Sequence, residues 1–385
     1  MMVFLSLATR IEVNVEAFNA VETVGNLTRH RRAPMVVPFE GGYRLIYVPA
    51  VSGESLANAY QRALVDVARV IYKGLEPPLS EWDKRYEFSK FMDNAHLTQS
   101  LIELLGISDE ESSATKKGKS KSSEQKDLNQ IRELKHKFEK KAITESIVAD
   151  IGGFLYAAET PIRRTSRFYV GYMLPVYDAI NALAIEAQLH ARHMPAETMK
   201  ESEESEESEE GEESEEGEER TRRAQKIYYV EVASAVYGIS FALDVSGIGM
   251  TSLVKLEEAV DRSERTRRVK VALGALQQLF TGIGFGAKLS RFTPIKRVIS
   301  AVATITHPHP FVASPPQLSG YTRETIERLL KYQGLMSKLG IAPEVRAVVY
   351  GDTVKQVAGI HICSSIEEFF EKLIVETLTF FERFG

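Results

Sequence analysis

Polar and apolar residues alternate from Arg10 to Phe18, with Ile11, Val13, Val15 and Ala17 on one face, which predicts a half-buried strand. The apolar residues before it lack the basic start and small-residue cleavage site of a secretory leader, and they read as the lead-in to that strand. A polar, arginine-rich segment from Asn19 to Arg32 predicts a loop. Two apolar runs, Met35–Phe39 and Tyr43–Val48, flank Glu40-Gly41-Gly42 and predict a hairpin. Behind Ser52, which stands where a helix N-cap belongs, Leu56, Ala59, Tyr60, Ala63, Val67, Val70 and Ile71 recur at helical spacing. Pro77-Pro78 ends that segment.

Residues 79–149 read as a mostly helical insertion broken by a Ser- and Lys-rich, low-complexity loop from Ser108 to Lys126. Strand patterns return at Ile151–Tyr156 and Ser166–Leu174, and two longer ones, Ile185–Met194 and Ile227–Leu243, bracket a glutamate tract. Val269, Ala272, Leu273, Leu276, Leu279 and Phe280 mark a second amphipathic helix, followed by a glycine-rich loop and a strand at Val298–Ile305. A helix near Arg323–Leu339, a strand at Arg346–Tyr350 and a helix near Ile366–Phe381 complete the pattern. The expected organisation is a core from residues 1–78 and 150–310, the 79–149 insertion, a disordered acidic loop over 195–225, and a C-terminal α/β extension over 311–385. The fold class this order predicts is α+β.

Charge changes the picture. The tract Glu201–Glu219 holds thirteen glutamates and no basic residue, and it cannot bury enough apolar area to order itself. Without those glutamates the formal net charge of the 385-residue chain moves from −5 to +8. The body is therefore basic, which suits a nucleic-acid partner without specifying a fold. No stretch approaches the roughly 20 apolar residues that span a bilayer, so a cytoplasmic protein without a membrane partner is expected. The single cysteine, Cys363, excludes an internal disulfide and a cysteine-rich zinc site, and reads as a small buried apolar residue.

Four clusters could hold a polyanion. Gly25 to Arg32 supplies Asn26, Arg29, His30, Arg31 and Arg32, all donors suited to phosphate oxygens, although a solvated basic loop would look the same. Ser52, Gly53 and Ser55 lie at the mouth of a helix whose first N–H groups can hold a phosphate; a plain helix cap is the simpler account. Arg163, Arg164 and Arg167 accompany aromatic residues near the start of a strand, where guanidinium and ring faces can stack on RNA bases, or where charges guard a sheet edge. The loop Gly282–Phe292 offers Lys288 and Arg291 to phosphates. It is not a nucleotide-binding P-loop, because Ala287 precedes Lys288, Leu289 replaces the metal-binding hydroxyl residue, and the loop follows a helix.

Enzyme signals are weaker. His190 and His193 are three apart on a predicted strand and so point to opposite faces, which does not suit one metal. His307-Pro308-His309 has no accompanying carboxylate. No catalytic triad, carboxylate pair or zinc spacing is evident, and no cofactor or metal is expected.

Taken in order, VETVGNLTRHRRAP (21–34), YVPAVSGESLANAYQ (47–61), DIGGFLYA (150–157), PIRRTSR (161–167), VEVASAVY (230–237) and the GxGAKLSRF loop (284–292) resemble the backbone subunit of archaeal type I-A Cascade, in the DevR-type CRISPR-associated autoregulator family. The resemblance implies an RRM-like, ferredoxin-like core, an antiparallel sheet with two packing helices, carrying helical and loop insertions. It implies a non-catalytic protein that polymerises along CRISPR RNA through other copies of itself, joins other Cascade subunits, and meets target DNA through the guide while a separate nuclease cleaves. It also makes Arg29–Arg32, the Ser52–Ser55 turn and Lys288–Arg291 candidates for RNA backbone contacts. The acidic tract departs from the family pattern. Two rival readings remain at this level: a metal-dependent ribonuclease using His190 or His30, and a monomeric single-stranded RNA-binding regulator.

Overall fold

A computed structural model describes residues 2–107, 128–158, 160–193, 225–282, 284–286, 289–355 and 357–385. The low-complexity loop, the acidic tract and Lys288 lie outside the described residues. The chain is a mixed α+β protein built on one large sheet.

Strand β1 (Phe4–Glu16) is the spine of that sheet, antiparallel to both β11 (Gln225–Asp244) and β12 (Ile295–His307). β10 (Ala184–His193) pairs antiparallel with β11 over its whole length, from Ala184 opposite Ser234 to His193 opposite Gln225. Beyond β12 the sheet continues through β13 (Glu344–Tyr350) and β14 (Ile360–Cys363), the last added in parallel.

The alternation of β1 sorts two cores. Leu5, Leu7, Ile11 and Val13 face helices α1 (Gly53–Ile71) and α6 (Arg262–Thr281), whose Tyr60, Leu64, Leu273 and Leu276 are fully buried or nearly so. The Tyr60 hydroxyl, sealed between these helices, donates to the carbonyl of Ala272 at 3.0 Å. Helix α8 (Ile366–Phe384) adds Phe369, Phe370 and Phe381 to the same layer. On the opposite face, Ala8 and Val302 pack with Tyr321, Ile326 and Leu329 of helix α7 (Tyr321–Lys338).

The 79–149 segment contains α2 (Glu81–Lys84), α3 (Gln99–Leu105) and the long α4 (Leu128–Glu145), with a separate small core around Leu101, Phe138 and Ala142. The next stretch corrects an expectation: α5 (Ile147–Gly152) is helical where a strand was predicted from Ile151, because Ser146 caps it through the N–H of Ala149. Only Phe154–Tyr156 is extended there, as β6, paired with β7 (Ile162–Arg164).

Two further corrections bear on the site. The predicted loop at Asn19–Arg32 is a hairpin of β2 (Ala20–Val24) and β3 (Leu27–His30), turned at Gly25 with φ +60°. Val15 does not share the inner face with Ile11 and Val13. The register shifts between Val13 and Glu16, Val15 takes φ +56° and turns outward, and Glu16 enters the core. An extra residue in a strand exchanges its faces, so the carboxylate goes where the alternation had put an apolar group.

Candidate nucleic-acid interface

Glu16 explains how the arginine hairpin is held. Its Oε1 lies 2.7 Å from His30 Nε2 and accepts from the Tyr237 hydroxyl at 2.8 Å, while Oε2 accepts from the Phe18 N–H at 2.6 Å. The side chains of Glu16 and His30 are both fully buried. His30 Nδ1 lies 2.9 Å from the Arg31 carbonyl, an obligatory acceptor, so both ring nitrogens face acceptors. Burial disfavours the imidazolium, but the hydrogen bond and charge of Glu16 outweigh it and raise the His30 pKa above 6.5. The same burial and the neighbouring carboxylate push the Tyr237 hydroxyl up. The His30 side chain is thus a strut inside the fold, fully buried with both ring nitrogens engaged, and this corrects its reading as a phosphate donor.

The hairpin is tied to β11 as well. Leu27 and Thr28 pair in parallel with Tyr229 and Val230, and the Tyr229 N–H donates to the Asn26 carbonyl at 2.8 Å. Glu231 accepts from the His30 N–H at 2.9 Å and from Arg32 at 3.2 Å. Outside this frame Asn26, Arg29 and Arg32 are exposed and Arg31 is half-buried. Arg29, Arg31 and Arg32 line a cavity of about 600 Å³ with Tyr47, Glu22 and Glu231, so three guanidinium groups face two carboxylates, one already paired.

The turn into α1 behaves as a cap. Ser52 is buried, and its Oγ accepts from the Ser55 N–H at 3.2 Å. A Cβ on Gly53 would lie 2.9 Å from the Val170 carbonyl, so glycine is required where β8 (Phe168–Val170) runs across the helix end. Gly53 belongs to a second cavity, of about 490 Å³, which Lys90, Gln61 and Tyr169 also line; Ser55 is half-buried beside it.

The arginines of the third cluster divide. Arg163 is exposed. Arg164 is fully buried and committed: it donates to Asp150 Oδ1 at 2.6 Å, Glu139 Oε1 at 3.1 Å and the Met250 carbonyl at 2.7 Å. Arg268 reaches the other oxygen of Asp150 at 2.9 Å, which completes a buried ion network joining α4, α5 and α6. Arg164 therefore welds the insertion to the core and has no free donor for RNA, a correction to its expected role. Arg167 is largely covered and bonds Asp244 at 3.2 Å and Ser252 at 3.0 Å.

At the glycine-rich loop, Phe285 stacks on Phe18 at 4.6 Å, and a Cβ on Gly286 would sit 2.3 Å from the Phe18 carbonyl. Glu16 therefore holds Phe18 from one side and the loop leans on it from the other. Arg291 is exposed, with Nη1 donating to the Tyr228 hydroxyl at 2.5 Å, and Tyr228 stacks on His190 at 5.3 Å. The arginine hairpin and the Phe18–Phe285 loop thus share one support, while Ser52–Ser55 and Arg163–Arg167 belong to other parts of the surface.

The sequence reading missed three residues here. Glu16 was hidden by the bulge. Tyr47, 69% exposed, was visible only as an aromatic residue in the apolar run of the predicted hairpin. Lys296 lies in a small apolar cavity with Phe18 and Phe285, without an ion-pair partner among the described residues, and burial pushes its amine down to about 8. Among the described residues no group of three or more His, Cys, Asp or Glu side chains is placed to hold a metal ion.

A cleft lined by three arginines and braced from beneath by a buried carboxylate, on an α+β scaffold, is a geometry suited to a polyanion, and comparison with known proteins narrows the class. Residues 7–326 match the model of the CRISPR-associated negative auto-regulator DevR/Csa2, and the chain belongs to that family. The CRISPR-associated aCascade subunit Cas7/Csa2 2 of Saccharolobus solfataricus is 36% identical over 96% of this chain and 99% of its own length. Another protein of that organism, CRISPR-associated protein Cas7/Csa2 1, is 32% identical over 77% of this chain and 76% of its own. CRISPR-associated protein Cas7/Cst2/DevR of Methanocaldococcus jannaschii is 24% identical over 96% and 99%.

Proposed function

We propose that this chain is a repeated, non-catalytic backbone subunit of a CRISPR surveillance complex, binding CRISPR RNA through its sugar-phosphate backbone. The observation that carries this is the cavity of Arg29, Arg31 and Arg32, fixed by the Glu16–His30 pair beneath it. A subunit that accepts any spacer must grip phosphate, ribose and shape, and leave sequence to base pairing between guide and target DNA. Asn26 and Arg291 offer further donors, Arg163 is an exposed cation on another part of the surface, Lys288 stays a candidate from the sequence alone, and the α1 entrance at Ser52–Ser55 contributes through its backbone.

The order β1, α1, β10, β11, α6, β12, with strands side by side as β12-β1-β11-β10, supports the RRM-like, ferredoxin-like core. In this reading other copies of the chain and other Cascade subunits are its protein partners, and target cleavage belongs to a separate nuclease.

The test is the affinity of the full chain for spacer-length single-stranded RNAs of unrelated sequence across a salt series. Comparable affinities that fall steeply with salt are expected, and each phosphate contact removed by Arg29→Ala or Arg31→Ala flattens the log–log slope by about 0.7. Affinity that does not change with salt contradicts the backbone grip.

A further inference from the structure

Beside the arginine cavity stands a face for which the fold has no internal use. Strands β4 (Arg32–Phe39) and β5 (Gly42–Pro49) form their own two-stranded sheet, with Pro34 opposite Tyr47, Val36 opposite Leu45 and Pro38 opposite Tyr43. One side is pinned: Met35, Val37 and Val48 are buried against Leu174, Tyr177 and Ile180. The other carries those three cross-strand pairs outward, with Val36 54%, Leu45 58%, Tyr43 79% and Tyr47 69% exposed. Side chains on a strand alternate strictly, so a hairpin anchored by one face cannot turn the other away from solvent. A contiguous apolar face of this kind marks a binding surface.

Its neighbour says what it binds. Tyr47 begins the ladder and also lines the cavity of Arg29, Arg31 and Arg32. A protein partner seated on Tyr47 would also cover three guanidinium groups that only two carboxylates, Glu22 and Glu231, accompany in that cavity. A single-stranded nucleic acid satisfies both at once, its phosphates on the arginines and an unpaired base on the ring. Every base has a π face, so stacking is tolerant of sequence, as a subunit accepting any spacer requires. The strand fixes the backbone beneath the ring, and with two side-chain torsions a tyrosine loses little freedom on binding.

We propose that Tyr47 is a stacking platform for an unpaired RNA base whose flanking phosphates lie among Arg29, Arg31 and Arg32, and that the Val36–Leu45 pair and Tyr43 extend this surface outward. This rests on the RNA-binding reading and adds a base-contacting residue to it. No base identity is read there.

The test uses the full chain and single-stranded RNAs carrying 2-aminopurine at successive positions, whose fluorescence reports stacking. Tyr47→Phe should bind like the unsubstituted protein. Tyr47→Ala and Tyr47→Leu should bind roughly ten-fold more weakly, since base stacking on an aromatic side chain has about that worth. Their salt slope should stay unchanged, because no phosphate contact is lost, whereas Arg31→Ala flattens it. The 2-aminopurine change at the stacked position should vanish in Tyr47→Leu. Affinity and fluorescence that are the same in all three Tyr47 variants overturn the proposal while leaving phosphate binding in place. Variants that alter only the sedimentation of RNA-free protein also overturn it, and assign the face to a second copy of the chain. An unsubstituted protein that binds no RNA instead removes the reading on which the proposal rests.

Discussion

Glu16 Oε1 lies 2.7 Å from His30 Nε2, and this buried pair braces both the arginine hairpin and the segment under the glycine-rich loop. His30 holds the Arg31 carbonyl, and Glu16 holds the N–H of Phe18, on which the glycine-rich loop rests. Removing one member of such a pair strands the other in a site without water. Glu16→Ala is therefore expected to cost about 3–5 kcal/mol in unfolding free energy. Glu16→Gln, which keeps an acceptor for Tyr237 or Phe18, should cost less, and denaturant unfolding of the two variants measures the difference.

The pair also predicts a pH dependence. A histidine whose pKa is raised on folding stabilises the folded state fully below its unfolded pKa, near 6.5, and that contribution is lost as pH rises through the raised folded value. The unsubstituted protein should lose this increment of stability on moving upward from pH 6.5, and His30→Asn should lack it. Unfolding curves measured at intervals across that range decide the point. Parallel curves for both proteins would show that His30 does not titrate as described.

Arg163 and Arg164 are adjacent in sequence and should fail in different ways. Arg164→Ala leaves Asp150 and Glu139 short of a buried partner and is expected to destabilise by roughly 3–5 kcal/mol. Arg163→Ala removes an exposed side chain, so its melting temperature should be unchanged while RNA affinity falls. Calorimetry and RNA titration on the same two samples check both halves.

Deleting Glu201–Glu219 should leave the fold intact, because β10 and β11 pair fully from Ala184 to His193 without it. It should also strengthen non-specific binding of RNA or DNA, since a tethered polyanion competes for a basic surface at high effective concentration. Titrations at low salt, where the competition is strongest, test this. Equal affinity with and without the tract leaves it a solubilising segment only.

Most elements were legible where one signal dominated. The Ser52 cap and the periodicity of α1 needed only local sequence, and the long strands beside the acidic tract were readable from their length. What failed depended on partners far along the chain. The bulge at Val15 depends on pairing with β11, and one extra residue there exchanged an apolar side chain for Glu16. Which of Arg163, Arg164 and Arg167 turned inward was decided by Asp150, Glu139 and Asp244, and no three-residue strand carries that information. The Asn19–Arg32 segment looked like a loop because its short polar hairpin lacks an apolar alternation, and β3 is held to the sheet by Tyr229 and Val230, about 200 residues away.

Assembly along RNA is the central claim. On the proposed reading, a cavity of about 600 Å³ and the adjoining Tyr47 face have room for only a few nucleotides, so a longer RNA requires several copies, and head-to-tail contacts that do not close generate a helix. The direct measurement is the mass bound to single-stranded RNAs of increasing length at saturating protein, by native mass spectrometry or sedimentation. The account predicts equal steps of one 43.1 kDa chain for each fixed increment of RNA. One protein per RNA at every length would contradict it and leave a monomeric RNA-binding protein.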